Sequence, residues 1–173
     1  MDARDKTELQ KRLRRALKLI YLTSLGASHI YAGHARRACD LRAQLLVHSA
    51  EQRERREDAA ALLAAMGRCK PLQRPVWHVI SWLWGRLTSL TDRAFSLRML
   101  ATIEHESQKI TRAADTMARE LVDLPLVQGL AKMGKAEAAR KDWLLEKLRD
   151  ESRVTSPESN RQVPDTRRET RDS

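Results

Sequence analysis

The stretch LRMLATIEHESQKIT, residues 97–111, sets a carboxylate inside an apolar stripe. Leu97, Glu104 and Thr111 are seven residues apart, so on a helix they share one face with Leu100 and Ala101. The same step recurs at Leu130, Glu137 and Leu144, and Arg140 lies one turn beyond Glu137 on that face. A third segment steps through Leu46, Arg53 and Ala60, across the polar run from Glu51 to Asp58. Either these charges are boundary residues whose side chains reach water, or a bundle of helices carries a charged layer at mid-height. In the second case unpaired ions would cost several kcal/mol each, so they must be paired or hold a metal.

Working outward, helical spacing continues on both sides. A first helix from about Lys6 carries Leu9, Leu13, Leu17, Ile20, Ser24, Ala27 and Tyr31 on one stripe, with Lys11, Arg12, Arg14, Arg15 and Lys18 opposite. A second is expected from about Leu41 to Met66, stopped by Gly67. A third spans about Asp92 to Val122, and Asp123-Leu-Pro125 opens a fourth with an N-cap and an early proline. The chain has 173 residues, 42% of them hydrophobic and 32% charged, with six Gly, five Pro and seven aromatics, which favours one all-α domain over a sandwich or barrel. The helical domain is expected over residues 1–151. The tail 152–173 is too polar to offset its ordering entropy and is expected to be disordered.

Cys39 and Cys69 form no disulfide framework and point to a reducing compartment. No run approaches the roughly 20 apolar residues that span a bilayer, and the charged N-terminus does not read as a signal peptide. The formal net charge of +10 favours an anionic partner without choosing among nucleic acid, acidic protein and phospholipid. Between helices 2 and 3 lies PVWHVISWLWGRLTSL, residues 75–90, holding three of the four tryptophans. Trp77, Trp82 and Trp84, flanked by Arg74 and Arg86, suit a bilayer interface, or else cap the core or an oligomer contact.

Ile30-Tyr-Ala-Gly-His34, Pro75-Val-Trp77 followed by Asp92-Arg-Ala-Phe-Ser-Leu97, and Met133-x-Lys135-x-Glu137 together resemble the demethoxyubiquinone hydroxylases of ubiquinone biosynthesis. The resemblance is collinear from about Leu17 to Leu148. It implies a ferritin-like four-helix bundle with a short Trp-rich interfacial helix between helices 2 and 3, attached to the cytoplasmic side of a membrane (the inner membrane in a bacterium). In that family the bundle holds two irons. Di-iron bundles draw one Glu from each of two helices and Glu-x-x-His from each of the other two, and this sequence contains no Glu-x-x-His.

By that resemblance the helix 1 glutamate falls on Ser24, the helix 3 glutamate on Glu104, and the helix 4 pair on Glu137 and Arg140. The helix 2 pair falls on Glu54 and Glu57, on Gln52 and Arg55, or on Arg53 and Arg56, according to register. Glu54, Glu104 and Glu137 are thus remnant metal positions, while Arg140 and Arg53 are expected to form core ion pairs with Glu104 and Glu137. No cofactor is expected and no catalytic residue is assigned. His29, His34, His48, His78 and His105 read as surface or boundary residues.

Three functions are consistent with this sequence. The first is a non-catalytic protein at the membrane surface, holding a polyprenyl quinone or quinone-pathway proteins, with self-association open. The second is a quinone monooxygenase with a carboxylate-rich iron site. The third is a basic helical nucleic-acid binder using the helix 1 cluster and the tail.

Overall fold

The described residues form five helices: α1 (Ala3–His34), α2 (Arg42–Ala65), α3 (Arg74–Thr88), α4 (Arg93–Glu120) and α5 (Leu124–Val154). The computed structural model describes residues 2–67 and 74–154, and among them there is no strand. Cys69 and residues 155–173 lie outside the described residues, as do the side chains of Arg74 and Val154. α5 carries the helical region three residues past the expected boundary at 151.

Local chemistry sets the helix ends. Asp92 Oδ1 accepts a hydrogen bond from the Phe95 amide at 2.8 Å and caps α4. Asp123 Oδ1 accepts from the Leu126 amide at 3.2 Å, with Pro125 in the first turn of α5 where no amide is needed. Gly67 follows α2 at φ 69°, the left-handed stop that glycine allows. Between α4 and α5 the same region is taken by Val122 at φ 56°, a costly conformation for a β-branched residue.

Four long helices enclose two apolar clusters. In one, Leu13, Leu17 and Ile20 of α1 meet Ala59 and Leu63 of α2, Ala114 and Ala118 of α4, and Leu130 and Met133 of α5. In the other, Ile30 and Tyr31 meet Leu45, Leu97, Leu100 and Leu144. The order of these residues along the chain fixes the directions. α1 runs antiparallel to α2 and to α4, and α4 runs antiparallel to α5. α2 therefore ends at the opposite extremity from where α4 begins, and the connection between them crosses the length of the molecule, with α3 inside it. Between the two clusters every long helix turns buried polar side chains inward, and these form the site.

Candidate functional site

Ser24 of α1, Gln52 and Arg55 of α2, Glu104, Ser107 and Thr111 of α4, and Glu137 and Arg140 of α5 are all buried and lie at one level. Glu104 and Glu137 have no solvent exposure at all, 0% each. Both carboxylates are answered by arginines. Arg140 Nε donates to Glu104 Oε1 at 3.2 Å, which also accepts from Gln52 Nε2 at 2.7 Å and the Tyr31 hydroxyl at 2.8 Å. Arg55 forms the other ion pair, with Glu137, and donates to Ser24 Oγ at 2.7 Å and Thr111 Oγ1 at 2.9 Å. The Ser107 and Thr111 hydroxyls complete Glu137 Oε1 at 2.9 and 3.0 Å.

Towards solvent, Arg140 Nη1 reaches half-exposed Glu51 at 3.3 Å, and Glu51 meets His48 Nδ1 at 3.1 Å. His48 packs edge-on against Trp143, with ring centroids 4.9 Å apart. The layer is close to neutral but not fully satisfied. Gln52 Oε1, Arg55 Nε, Glu104 Oε2, Glu137 Oε2 and Arg140 Nη2 are buried without a hydrogen-bond partner.

Burial raises the Glu137 carboxyl above the usual carboxylate range, against the opposing pull of Arg55, Ser107 and Thr111. Burial likewise lowers the Arg55 guanidinium, although Glu137 and Glu104 hold it up. Burial also pulls on Arg140, but Glu104 outweighs it with help from Tyr31 and Glu51, so Arg140 is raised. Tyr31 is raised well above an ordinary phenol, by burial and then by the Glu104 charge. It therefore stays protonated and donates to Glu104.

The sequence-expected residues divide. Glu104, Glu137 and Arg140 point inward and meet their partners. Arg53 does not: it is exposed, and the inward arginine of α2 is Arg55. The helix 2 pair facing in is Gln52 and Arg55. Glu54 and Glu57 are exposed, Glu54 bonding Lys132 Nζ at 2.9 Å on the surface. The misplaced register has a local cause. Leu45 is buried and Leu46 is 45% exposed, so a count from Leu46 starts on the wrong face. Counting back from Leu63 through Ala59 in steps of three and four reaches Arg55, Gln52 and His48. Tyr31 also bonds Glu104, a role that its place on the apolar stripe of α1 does not reveal, and His34 and His48 are buried and not surface or boundary residues.

This donor set does not suit a pair of irons. Glu104 and Glu137 each spend an oxygen on a guanidinium, which has no lone pair to give a metal. Glu54 and Glu57 are turned away, and among the described residues no three His, Cys, Asp or Glu side chains converge.

The second feature is α3. It lies parallel to α1, on the face turned away from the core. Trp77 Nε1 donates to the Leu22 carbonyl at 2.6 Å, His29 and His78 meet at 2.9 Å, and His34 Nε2 meets Thr88 Oγ1 at 3.2 Å. Its buried residues are small: Ser81, Gly85 and Thr88. A Cβ on Gly85 would lie 2.7 Å from the His29 carbonyl oxygen, so glycine permits the backbones to touch. The large side chains turn the other way. Val76, Val79, Ile80, Trp82, Leu83, Trp84 and Leu87 are all exposed, as is Leu90 just after the helix, and Arg86 stacks over the Trp82 ring at 4.8 Å. Trp77 is half in the seam with α1, so Trp82 and Trp84 are the outward rings. Arg74 opens the helix, with its side chain outside the described residues. No described helix is long and apolar enough to cross a membrane.

Near the C-terminal end of α3 a cavity of about 210 Å³ has apolar walls of Leu45, Leu97 and Leu100, with His34 and Arg37 also lining it. It is below the roughly 300 Å³ that drug-sized ligands occupy. The chain matches no protein-family model and no curated protein.

Proposed function

We propose that this chain is a ferritin-like helical bundle bound to a membrane surface, related in design to the demethoxyubiquinone hydroxylases but without their di-iron chemistry. The observation that carries the reading is α3, which buries its small side chains on α1 and turns its large apolar ones outward. Water penalises such an arrangement, at roughly 25 cal/mol for each Å² of apolar surface. A bilayer interface rewards it, because tryptophan rings and an arginine with an apolar stem favour that depth.

The long crossover between α2 and α4 supports the ferritin-like reading, since bundles of that class carry one such connection. The paired guanidiniums of Arg55 and Arg140 support a structural role for the mid-height layer, in which arginine charge stands where a metal-binding bundle would have cations. In this reading the protein holds a lipid or prenyl-quinone headgroup at the bilayer, using the cavity beside His34 and Arg37, and hydroxylates nothing.

Two measurements test it. Purified full-length protein should co-sediment with phospholipid vesicles, with a blue shift of tryptophan emission that Trp82→Ser/Trp84→Ser removes. After reconstitution with ferrous iron it should retain no stoichiometric metal. Two tightly held irons per chain, with the absorption of an oxygen-bridged pair, would overturn the non-catalytic assignment. Failure to bind any vesicle would overturn the membrane assignment.

A further inference from the structure

The face of α1 that receives α3 continues beyond it. Lys11, Arg15, Lys18, Leu22, Gly26, His29 and Gly33 follow one another at three or four residues, so they share one side of the helix. α3 covers this side from Leu22 to His34. Short of Leu22 no described helix packs on the same side, and Lys11, Arg15, Lys18 and Leu19 on it are exposed. Among the described residues, Lys11, Arg14, Arg15 and Lys18 line a recess of about 240 Å³. Of these four, Lys11 has a carboxylate neighbour, Glu8 at 3.6 Å, in an exposed pair of little strength.

We infer that this recess seats the phosphate headgroups of anionic phospholipid while α3 inserts beside it, so that α1 lies along the membrane plane and the surface selects negatively charged bilayers. This rests on the membrane reading above. Charge and apolarity follow each other along one helix side, and the footprint from Lys11 to Gly33 is about 33 Å long at 1.5 Å per residue. Tryptophan and leucine supply insertion without regard to headgroup. The four cations supply discrimination, each strengthening attachment to an anionic surface by about 5-fold, an effect that salt screens.

The test uses the full chain with two vesicle types, phosphatidylcholine alone and phosphatidylcholine with phosphatidylserine in roughly a two-to-one mixture, over a salt series. The wild type should bind the mixed vesicles far more tightly, with the difference shrinking as salt rises. Lys11→Gln/Arg15→Gln/Lys18→Gln should weaken mixed-vesicle binding by about 100-fold and leave phosphatidylcholine binding unchanged, since α3 is untouched. These side chains are exposed, so the variant's helical signal and melting should match the wild type, and Arg15→Glu alone should give a graded loss. A triple variant that keeps its full preference for mixed vesicles would overturn the inference and leave the membrane reading standing. The same follows if the triple variant loses affinity for duplex DNA or RNA and not for vesicles. A wild type that binds neither vesicle type removes the membrane reading itself.

Discussion

At the scale of single residues, Arg55 and Arg140 matter most. Each neutralises a carboxylate that has no water to turn to, and removing one partner of such a buried pair typically costs about 3–5 kcal/mol because the other is stranded. Arg55→Leu should fall in that range in urea melts, with Glu137 left facing only the Ser107 and Thr111 hydroxyls. Arg55→Leu/Glu137→Leu should recover most of the loss. The five orphaned polar atoms show that the layer does not satisfy itself, so apolar replacement gives up little. A double variant clearly less stable than Arg55→Leu would show that the pair is net stabilising. The inward carboxylates were legible because Glu104 and Glu137 interrupt strong apolar stripes at a seven-residue step. Arg55 was not, because the run from Glu51 to Asp58 contains no apolar residue to mark a face, and two adjacent leucines offered two starting points.

At the scale of elements, helix ends were readable from caps and breakers: Asp92, Asp123 with Pro125, and Gly67 act where their chemistry says they should. The orientation of α3 was not readable. Ser81, Gly85 and Thr88 form its contact face through smallness, which a hydrophobicity pattern scores as solvent-facing. Gly85→Ala should push α3 off α1, because backbone atoms of His29 and Ile30 would lie 2.7 and 3.0 Å from the new methyl. Vesicle binding should weaken, while thermal melting of the long helices changes by only a few degrees.

Acid should act at the same seam. Burial first, then His78, Arg53 and Arg56, lowers His29, and burial lowers His34. A depressed imidazole stabilises the fold fully above its unfolded value near about 6.5, and that stability is lost as pH falls through the folded value. Hydrogen exchange in α3 should therefore quicken as pH is taken from about 7.5 to about 5, after correction for intrinsic rates, and His29→Gln should blunt the change. The raised carboxyl of Glu137 has the opposite sign. Its contribution is complete below the ordinary glutamate value and is lost as pH rises through the raised one, so acid loosens the seam without drawing on that residue.

At the scale of the whole molecule, the all-helical architecture and the number of long helices were legible from composition and period, and the polar girdle between two apolar clusters was legible in part. The antiparallel pairing of α1 with α2 and of α4 with α5 was legible from the short connections between them, whereas the antiparallel run of α1 against α4 was not, since it follows from which clusters each helix joins. α1 has two working sides: one lines the core through Leu13, Leu17 and Ile20, and the other carries α3. Replacing residues 75–88 with a Gly/Ser linker of equal length should leave a folded, cooperatively melting bundle that no longer sediments with vesicles. Loss of cooperative melting would show that α3 belongs to the folding unit. α3 packs on the scaffold along α1, so on the membrane reading proposed above the crossover must keep its reach but not its contents. On that reading such a part is free to be exchanged, and the bundle could change the kind of surface it stands on without rebuilding its interior.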